Sequence, residues 1–296
     1  MTLTLYPVSA RFAAEVGGVD LGRGAGEADL AAIRAAFAEY AVLVFPAQEL
    51  TAEQHLAFAG QFGPIEPTVD AALKRENTRV RAGIADIANI DAAGKLWDEK
   101  DRMRSFQMLA NRLWHTDSSF KQPSGYASIL YARSIAPIGG NTEFADLRAA
   151  YDALAPDLKR RIAPLMAEHS ILNSRRRLGM EEFSAAERAA FAPVERPLVR
   201  TIPESGRQSL YIASHVGRID TLTPADAEEL LATLTAHATQ RQFVYAHRWR
   251  VGDLVMWDNR CTMHRGRDFD DLRWPRDLQR VTTSDRADAF DDAASA

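Results

Sequence analysis

The sequence lacks the features that mark several classes of protein. It has one cysteine, Cys261, in 296 residues, which excludes an intrachain disulfide framework and favours a reducing, cytoplasmic location. No stretch of about 18 apolar residues is present, so we expect no membrane span. Residues 1–7 have neither a basic start nor a long apolar run, so we expect no signal peptide.

Positive charge and nucleotide-binding motifs are also scarce. The net charge is −4, and basic clusters such as residues 175–177 (RRR) are too short to favour nucleic acid as a partner. The glycine-rich residues 22–26 (GRGAG) lack a following Lys-Ser or Lys-Thr pair and a strand-helix-strand context, so they predict a turn. The chain also has no dinucleotide-binding fingerprint.

What the chain does contain is an ordinary globular composition, with 46% hydrophobic and 26% charged residues. Its patterning predicts an all-β core with helices, because the strands are many and short and do not alternate regularly with helices. A double-stranded β-helix (jelly roll) flanked by α-helices lets distant segments of such a chain meet. We predict one domain over residues 1–284 and a disordered, Asp- and Ala-rich tail over residues 285–296.

Several elements can be predicted individually. Amphipathic patterns predict helices over residues 27–40 and 51–62, and His55 on the second is expected to face solvent or to cap the helix. The apolar residues 41–45 predict a strand buried on both faces. The polar residues 66–81 predict a mobile loop, and such loops commonly cover a site. Shorter apolar stretches predict further strands, among them residues 19–21, 126–135, 142–144, 167–172 and 198–201.

Residues 113–120 (LWHTDSSF) contain a candidate metal site. On a β-strand, side chains alternate between faces, so His115 and Asp117 would point the same way and could hold one ion. Far downstream, residues 255–266 (VMWDNRCTMHRG) place His264 just after an apolar, strand-like run. Two imidazoles and one carboxylate, with the remaining positions open, are the ligand set of a non-haem Fe(II) oxygenase.

Two arginines follow the last candidate ligand. Arg276 lies 12 residues after His264, and Arg280 lies 4 residues further on. A guanidinium binds a carboxylate through two hydrogen bonds, so Arg276 could anchor 2-oxoglutarate while the keto-acid end of that molecule binds iron. Residues four apart on a strand share a face, so both arginines could point into one pocket. Arg280 could bind either the keto-acid end or a substrate anion.

With these residues the chain resembles the Fe(II)/2-oxoglutarate-dependent dioxygenases of the taurine and 2,4-dichlorophenoxyacetate dioxygenase family, and within it the 2,4-dichlorophenoxyacetate branch. The resemblance rests on residues 113–123 (LWHTDSSFKQP), 139–152 (GGNTEFADLRAAYD) and 240–266, with weaker similarity over nearly the whole chain. It implies a jelly roll in which His115, Asp117 and His264 bind Fe(II), with 2-oxoglutarate and O₂ as co-substrates. It also implies a small organic acid substrate, an aryloxyacetate hydroxylated beside its ether oxygen to give a phenol and glyoxylate.

The resemblance implies roles for four further residues. Thr142 matches a family position whose hydroxyl supports the carboxylate of 2-oxoglutarate that Arg276 holds. Lys95 and His215 match positions associated with the substrate, and Ser118, inside the metal motif, is a third candidate substrate contact. The remaining notable residues are interpreted as structural, namely Cys261, Trp114, Trp257, His169, His237 and His247.

Several alternatives remain open. Ala71 stands where the phenoxyacetate branch has a basic residue and Ile202 where it often has histidine, so a taurine-like sulfonate or another small organic acid is the alternative substrate. Two histidines and a carboxylate also suit a zinc hydrolase, although hydrolysis would not require Arg276. A non-catalytic jelly-roll binding protein is the third possibility, and a homo-oligomer is left open.

Overall fold

Strands dominate the architecture of this protein. The computed structural model describes residues 3–74, 79–97 and 109–286. Its strands are β1 (Thr4–Pro7), β2 (Ala13–Gly17), β3 (Val42–Phe45), β4 (Ala85–Ala88), β5 (Gly125–Ser134), β6 (Thr142–Asp146), β7 (Met166–His169), β8 (Val194–Pro197), β9 (Val199–Thr201), β10 (Gln208–Leu210), β11 (Val216–Ile219), β12 (Val244–His247), β13 (Leu254–Asp258), β14 (Thr262–Gly266) and β15 (Asp277–Ser284). Its α-helices are α1 (Glu27–Tyr40), α2 (Ala52–Ala59), α3 (Val69–Ala72), α4 (Leu147–Asp152), α5 (Pro156–Ile162), α6 (Ile171–Arg176), α7 (Ala185–Ala190) and α8 (Pro224–Ala238).

Two facing sheets form the predicted jelly roll. The larger has seven strands in the order β1-β2-β3-β13-β5-β15-β4, and the smaller has three in the order β12-β6-β14. The pairings are antiparallel except that between β2 and β3. Side chains from both sheets fill the space between them, where Phe144 of the small sheet packs against Trp257 of the large one with ring centroids 5.4 Å apart.

Strand β3, predicted over residues 41–45, is buried on both faces of the large sheet. Because side chains alternate along a strand, Val42 and Val44 of β3 face the inter-sheet core, whereas Leu43 and Phe45 face the helices. All four side chains are 0% exposed. At about 1.5–3 kcal/mol for each large apolar side chain removed from water, this strand contributes to both cores at once.

Helices α1 and α2 cover the outer face of the large sheet. The Thr51 hydroxyl accepts a hydrogen bond from the Gln54 backbone at 3.2 Å, and the Gln54 side chain accepts one from the Thr51 backbone at 2.7 Å. This reciprocal cap fixes the start of α2 one residue after the predicted position. Phe37 of α1 and Phe58 of α2 then join the core formed with β3 and β13. A second apolar cluster joins α4, α5 and α8 to β7 and β11.

Three sequence predictions differ from the structure in detail. His55 is 1% exposed instead of facing solvent or capping, because its Nε2 lies 3.0 Å from the Ile129 carbonyl oxygen at the sheet surface. Residues 19–21 do not form a strand, and a 3-10 helix begins at Leu21. The strand expected over residues 167–172 ends at His169, where Ser170 caps α6 through the Leu172 backbone N–H.

The predicted C-terminal tail and the loop predicted over residues 66–81 lie only partly within the described residues. Asp285, assigned to the tail by its composition, is 3% exposed, and its backbone N–H donates to the Ser124 carbonyl at 2.7 Å. Residues 287–296 of the predicted tail, and residues 75–78 of the loop predicted over residues 66–81, lie outside the described residues. Within the described ranges, no helix is both long enough and apolar enough to cross a membrane.

Candidate metal and co-substrate site

The three predicted ligands come together beside β14, the edge strand of the small sheet. His115 and His264 exchange backbone hydrogen bonds, with N–O distances of 3.0 and 2.7 Å, which places their imidazoles side by side with ring centroids 4.1 Å apart. The Asp117 carboxylate lies 3.9 Å from His115 Nε2 and 3.7 Å from His264 Nε2. One ligand atom from each residue lies within 4.8 Å of the others, and all three residues are buried.

The route by which His115 and Asp117 meet differs from the prediction. They do not lie on one regular strand: His115 makes an isolated bridge to His264, and Asp117 begins a turn. Ser118 continues that turn with φ of 57°, in the left-handed region. The two side chains therefore share a site because the chain turns after Thr116, and strand alternation is not the cause.

Asn259 fixes the turn that carries Asp117. Its side-chain oxygen accepts the Asp117 backbone N–H at 3.1 Å and the indole N–H of Trp257 at 3.0 Å. Its amide nitrogen donates to Ser128 Oγ at 2.9 Å, and that hydroxyl donates to Asp117 Oδ2 at 2.7 Å. Asn259 is 0% exposed and thus holds both the backbone and the carboxylate of a candidate ligand.

The protonation states in the site suit metal binding. Burial would raise the pKa of Asp117, but its neighbours, with the charge of Arg280 as the largest effect, outweigh burial and hold that pKa below its usual range. Burial lowers the pKa of His115 and of His264, so both imidazoles are neutral near pH 7. His115 Nδ1 lies 2.7 Å from the Leu113 carbonyl oxygen, which fixes the proton on Nδ1 and leaves the Nε2 lone pair for a metal.

This donor set fits the predicted ion. Two neutral imidazoles and one carboxylate on one side of a buried space match the facial arrangement of non-haem Fe(II) oxygenases. The same three donors would also accept zinc, so the ligands alone do not choose between oxygenase and hydrolase. The arginines near the three ligands help to distinguish an oxygenase from a hydrolase.

Arg276 opens into the cavity next to the three ligands, a space of about 170 Å³. Its backbone N–H donates to Asn89 Oδ1 at 2.7 Å, and its guanidinium reaches the Gly140 carbonyl at 3.3 Å. Burial lowers the pKa of Arg276 to about 10, which still leaves it charged at neutral pH. Among the described residues no carboxylate pairs with this guanidinium, as expected for a side chain that receives the carboxylate of a ligand.

The side chains of Arg280 and Thr142, unlike that of Arg276, each hydrogen-bond to another described side chain. Arg280 lines the same cavity, but its Nη1 donates to Asp117 Oδ1 at 2.6 Å, so it contacts a candidate ligand directly. Thr142, at the start of β6, is buried, and its hydroxyl accepts the indole N–H of Trp249 at 3.0 Å. It lies next to Gly266 in the sheet, and Gly266 lines the cavity.

Two of the three predicted substrate contacts line the cavity. His215 is buried, with its ring 6.0 Å from that of His115 and 4.9 Å from that of Phe120. Ser118 donates to the Glu66 carboxylate. The structure does not bring Lys95 to this site: Lys95 is exposed, in a turn where its backbone N–H donates to Asp91 Oδ1 at 2.9 Å.

The two positions that depart from the phenoxyacetate pattern also lie apart from the ligands. Ala71, in α3, is exposed, although its neighbours Val69 and Asp70 line the cavity. Ile202 is 1% exposed and belongs to the core between the sheets, where histidine would need a polar partner.

Sequence reasoning missed three residues that the structure places at the site. One is Asn259, which accepts the Asp117 backbone N–H, and its position five residues before His264 was the only sequence feature that could have indicated this role. Glu66 is 7% exposed, lines the cavity and pairs with Lys121 at 3.1 Å. This ion pair connects the start of the predicted loop to the turn that carries Asp117. Arg175 also lines the cavity, whereas the sequence suggested only a short basic cluster.

Residues interpreted as structural are mostly buried as expected. Cys261 and Trp257 are each 0% exposed in the inter-sheet core, and burial raises the pKa of the Cys261 thiol, so it carries no thiolate. The Trp257 ring lies 4.6 Å from His264. His169 stacks on Tyr211 with ring centroids 5.4 Å apart, and His247 Nε2 lies 3.1 Å from Asp253.

Comparison with known proteins identifies close relatives of the whole chain. The model of the taurine catabolism dioxygenase TauD, TfdA family matches residues 4–282, a range that contains the three candidate ligands and both arginines. The α-ketoglutarate-dependent 2,4-dichlorophenoxyacetate dioxygenase of Cupriavidus pinatubonensis is 46% identical over 287 residues, 97% of this chain and 99% of the relative. The (S)-phenoxypropionate/α-ketoglutarate-dioxygenase of Sphingobium herbicidovorans is 40% identical and covers 90% of each chain.

A solved structure shows the same fold. The crystal structure of AAD-2 in complex with Mn(II) and N-oxalylglycine has a TM-score of 0.88 with this chain at 42% identity. The similarity covers 97% of this chain and 98% of that one. The seven-stranded and three-stranded sheets described above are therefore arranged as in a solved protein of the same length.

Proposed function

The chain belongs to the TauD, TfdA family and is a 2-oxoglutarate-dependent dioxygenase, and we propose that it hydroxylates an aryloxyalkanoate such as 2,4-dichlorophenoxyacetate. The hydroxyl group enters on the carbon between the ether oxygen and the carboxylate. The resulting hemiacetal breaks its C–O bond to release a phenol and glyoxylate. The relatives from Cupriavidus pinatubonensis and Sphingobium herbicidovorans, whose names refer to aryloxy acids, support this substrate class over a taurine-like sulfonate.

The cofactor supplies the oxidation. With Fe(II) and 2-oxoglutarate bound, O₂ converts 2-oxoglutarate to succinate and CO₂ with one oxygen atom and hydroxylates a C–H bond with the other. His115, Asp117 and His264 hold the metal, with their neutral imidazoles and ionised carboxylate ready to bind without losing protons.

The arginines orient the other components. Arg276 binds the distal carboxylate of 2-oxoglutarate, because it lines the cavity, is charged and has no carboxylate partner among the described residues. Thr142 supports the same carboxylate. Arg280 orients Asp117, because its Nη1 lies 2.6 Å from Asp117 Oδ1, and it leaves the other carboxylate oxygen facing His264. His215 and Ser118 line the space for the substrate.

One observation carries the proposal: His115 and Asp117, two members of the three-residue metal cluster, line the same cavity as Arg276, which has no carboxylate partner among the described residues. A zinc hydrolase would need the ligands but not the guanidinium, and a binding protein would need neither neutral imidazoles nor an ordered carboxylate. The family membership agrees with the oxygenase.

Succinate release tests the function directly. Purified protein with Fe(II), 2-oxoglutarate and O₂ should release succinate and a phenol in equal amounts when 2,4-dichlorophenoxyacetate is added. Taurine and aryl acetates should give much less. If the protein turned over taurine but no aryloxy acid, the proposed substrate would be wrong, although the protein would still be a 2-oxoglutarate-dependent dioxygenase. A weak visible charge-transfer band on anaerobic addition of 2-oxoglutarate to the Fe(II) protein checks the class independently.

Three coarser expectations stay predictions. A single domain over residues 1–284, a cytoplasmic location and self-association were expected or left open from the sequence. Sedimentation of the purified protein would measure the last of these.

A further inference from the structure

We propose that Arg175 is the residue that binds the carboxylate of the substrate. This inference rests on the proposed function, since it assumes an anionic substrate next to the metal. It adds a specificity-determining contact that neither the sequence motif nor the arginines after His264 had indicated.

The balance of charge in the cavity singles out Arg175. Within the described part of the chain, six cationic side chains line it: Arg112, Lys121, Arg175, Arg267, Arg276 and Arg280. Four of them lie within 4 Å of a carboxylate, at 2.9 Å for Arg112, 3.1 Å for Lys121, 3.6 Å for Arg267 and 2.6 Å for Arg280. Among the described residues, only Arg175 and Arg276 have no such partner.

Two unpaired guanidiniums match the two small anions that the reaction needs. Each reaction brings the distal carboxylate of 2-oxoglutarate and the carboxylate of the substrate into one cavity. A partly buried cation without a counter-charge is costly, and a carboxylate that accepts two hydrogen bonds from it offsets that cost. Because Arg276 is placed for 2-oxoglutarate, Arg175 remains for the substrate.

The position of Arg175 is fixed by the residues around it. It lies in α6 four residues after Ile171, so the two share a helix face, and both line the cavity. The start of α6 is tied to the cavity wall because the His215 carbonyl accepts the Ser170 backbone N–H and the Asn173 side-chain N–H, both at 3.0 Å. A short helix anchored in this way holds the backbone of Arg175 beside the cavity before a ligand arrives.

The location also suits the geometry of the reaction. In an aryloxyacetate the carboxylate is bonded directly to the carbon that is oxidised, so its binding group has to lie near the metal. Arg175 lines the same cavity as His115 and Asp117, two of the three candidate ligands. The apolar side chains of Phe120, Ile171 and Val69 line the same cavity and can receive the aryl ring.

Other residues fit this role less well. His215 packs its ring against those of His115 and Phe120, and an imidazole lacks the two parallel N–H donors with which a guanidinium binds a carboxylate. Lys95 is exposed and is not among the described residues that line the cavity. Arg280 already pairs with Asp117.

Equilibrium binding to a redox-inert complex tests the proposal. The protein is loaded with Mn(II) and N-oxalylglycine, and calorimetry gives the Kd of 2,4-dichlorophenoxyacetate and of its primary amide, which has the same shape without the charge. In Arg175→Met the Kd of the acid should rise about 10- to 100-fold, while that of the amide changes less than about threefold. Arg175→Lys, which keeps the charge but loses the two-pronged contact, should raise the Kd of the acid about 3- to 10-fold.

The matched control is Arg176→Met. Arg176 is the next residue in α6, but it is exposed, donates to Asn173 Oδ1 at 2.9 Å and stacks over Phe183. It should leave both Kd values unchanged. An unchanged Kd of the acid in Arg175→Met, or equal weakening of acid and amide, would overturn the role of Arg175. If Arg175→Met does not fold, Arg175→Lys decides, and wild-type affinity for the acid in that variant overturns it too.

The proposed function fails in a different way from this inference. If wild-type protein neither binds any aryloxy acid nor releases succinate with it, the substrate class is wrong. If wild-type protein turns over 2,4-dichlorophenoxyacetate while Arg175→Met keeps the preference for acid over amide, only the assignment of Arg175 is wrong.

Discussion

Two buried asparagines should separate metal binding from co-substrate binding. Asn259 and Asn89 are 0% and 3% exposed, and each holds a backbone N–H of a functional residue. Asn259 accepts from the N–H of Asp117 at 3.1 Å, whereas Asn89 accepts from the N–H of Arg276 at 2.7 Å. Alanine at each position removes a similar number of hydrogen bonds, so the two variants serve as controls for each other.

The structure sets the size of the effects. Asn259→Ala leaves two buried donors without an acceptor, the Asp117 N–H and the Trp257 indole, at about 1–3 kcal/mol each. The free energy of unfolding should therefore fall by about 2–6 kcal/mol. Because the variant also frees Ser128 from its donor, the Asp117 carboxylate loses its fixed orientation, and metal affinity should fall about 10- to 100-fold.

Asn89→Ala should give the opposite pattern. It leaves the Arg276 N–H and the carbonyls of Asp271 and Trp274 without their partner, so the free energy of unfolding should fall by a similar amount. Its affinity for Mn(II) should stay within about threefold of wild type, while its affinity for N-oxalylglycine falls about tenfold, since Arg276 is no longer held in place.

Calorimetric titration of Mn(II), and then of N-oxalylglycine into the Mn(II) protein, measures both constants, and urea unfolding measures stability. The expected result is a crossed pattern, with Asn259→Ala weakening the first titration and Asn89→Ala the second. If both variants lose stability but keep wild-type Mn(II) affinity, Asn259 only supports the fold. If both weaken the same titration, the two binding functions are not held separately.

Three further outcomes follow from the structure. Arg276→Met should raise the KM for 2-oxoglutarate about 100-fold in the succinate assay and leave Mn(II) affinity unchanged, because Arg276 contacts no candidate metal ligand. Burial lowers the pKa of His55 to about 4. As pH falls from 6.5 to 4, His55 is protonated in the unfolded chain but stays mostly neutral in the folded one, so the free energy of unfolding should fall by about 3 kcal/mol. Urea unfolding of His55→Gln, which can still donate to Ile129, should lack that part of the acid destabilisation, and an identical pH profile would contradict the burial argument. Lys95→Ala should leave the KM for 2,4-dichlorophenoxyacetate within about twofold, since Lys95 is exposed; a tenfold rise would return it to the site.

Elements with a strong local pattern were predictable from the sequence. The helix over residues 27–40 has the bounds of α1, and the apolar residues 41–45 contain β3 with both faces buried. The candidate metal ligands were predictable because imidazole and carboxylate side chains have a specific chemistry at a specific spacing. Their mutual position, within 4.8 Å, agrees with the prediction although the strand geometry used to reach it is wrong.

Contacts made by tertiary packing could not be read from local patterns. His55 has the polar character of a surface residue, and only the Ile129 carbonyl across the sheet gives it a buried partner. Lys95 matched a family position, but the local turn points it outward. Arg175 was one of three consecutive arginines, and which of them enters the cavity depends on where α6 begins, which Ser170 decides by its hydrogen bond.

The site is assembled so that charge balance is completed by the ligands and not by the protein. Asp117 is paired with Arg280, while Arg175 and Arg276 have no carboxylate among the described residues. Leaving two partly buried cations unpaired lowers stability, and the inter-sheet core and the core beneath α1 and α2 offset that cost by burying apolar surface. With the proposed roles of Arg276 and Arg175, the same imbalance gives selectivity, because a neutral molecule with the shape of the substrate would leave Arg175 unpaired even when 2-oxoglutarate is bound. On this proposal, the absence of a carboxylate partner at Arg175 contributes to substrate choice together with the shape of the cavity.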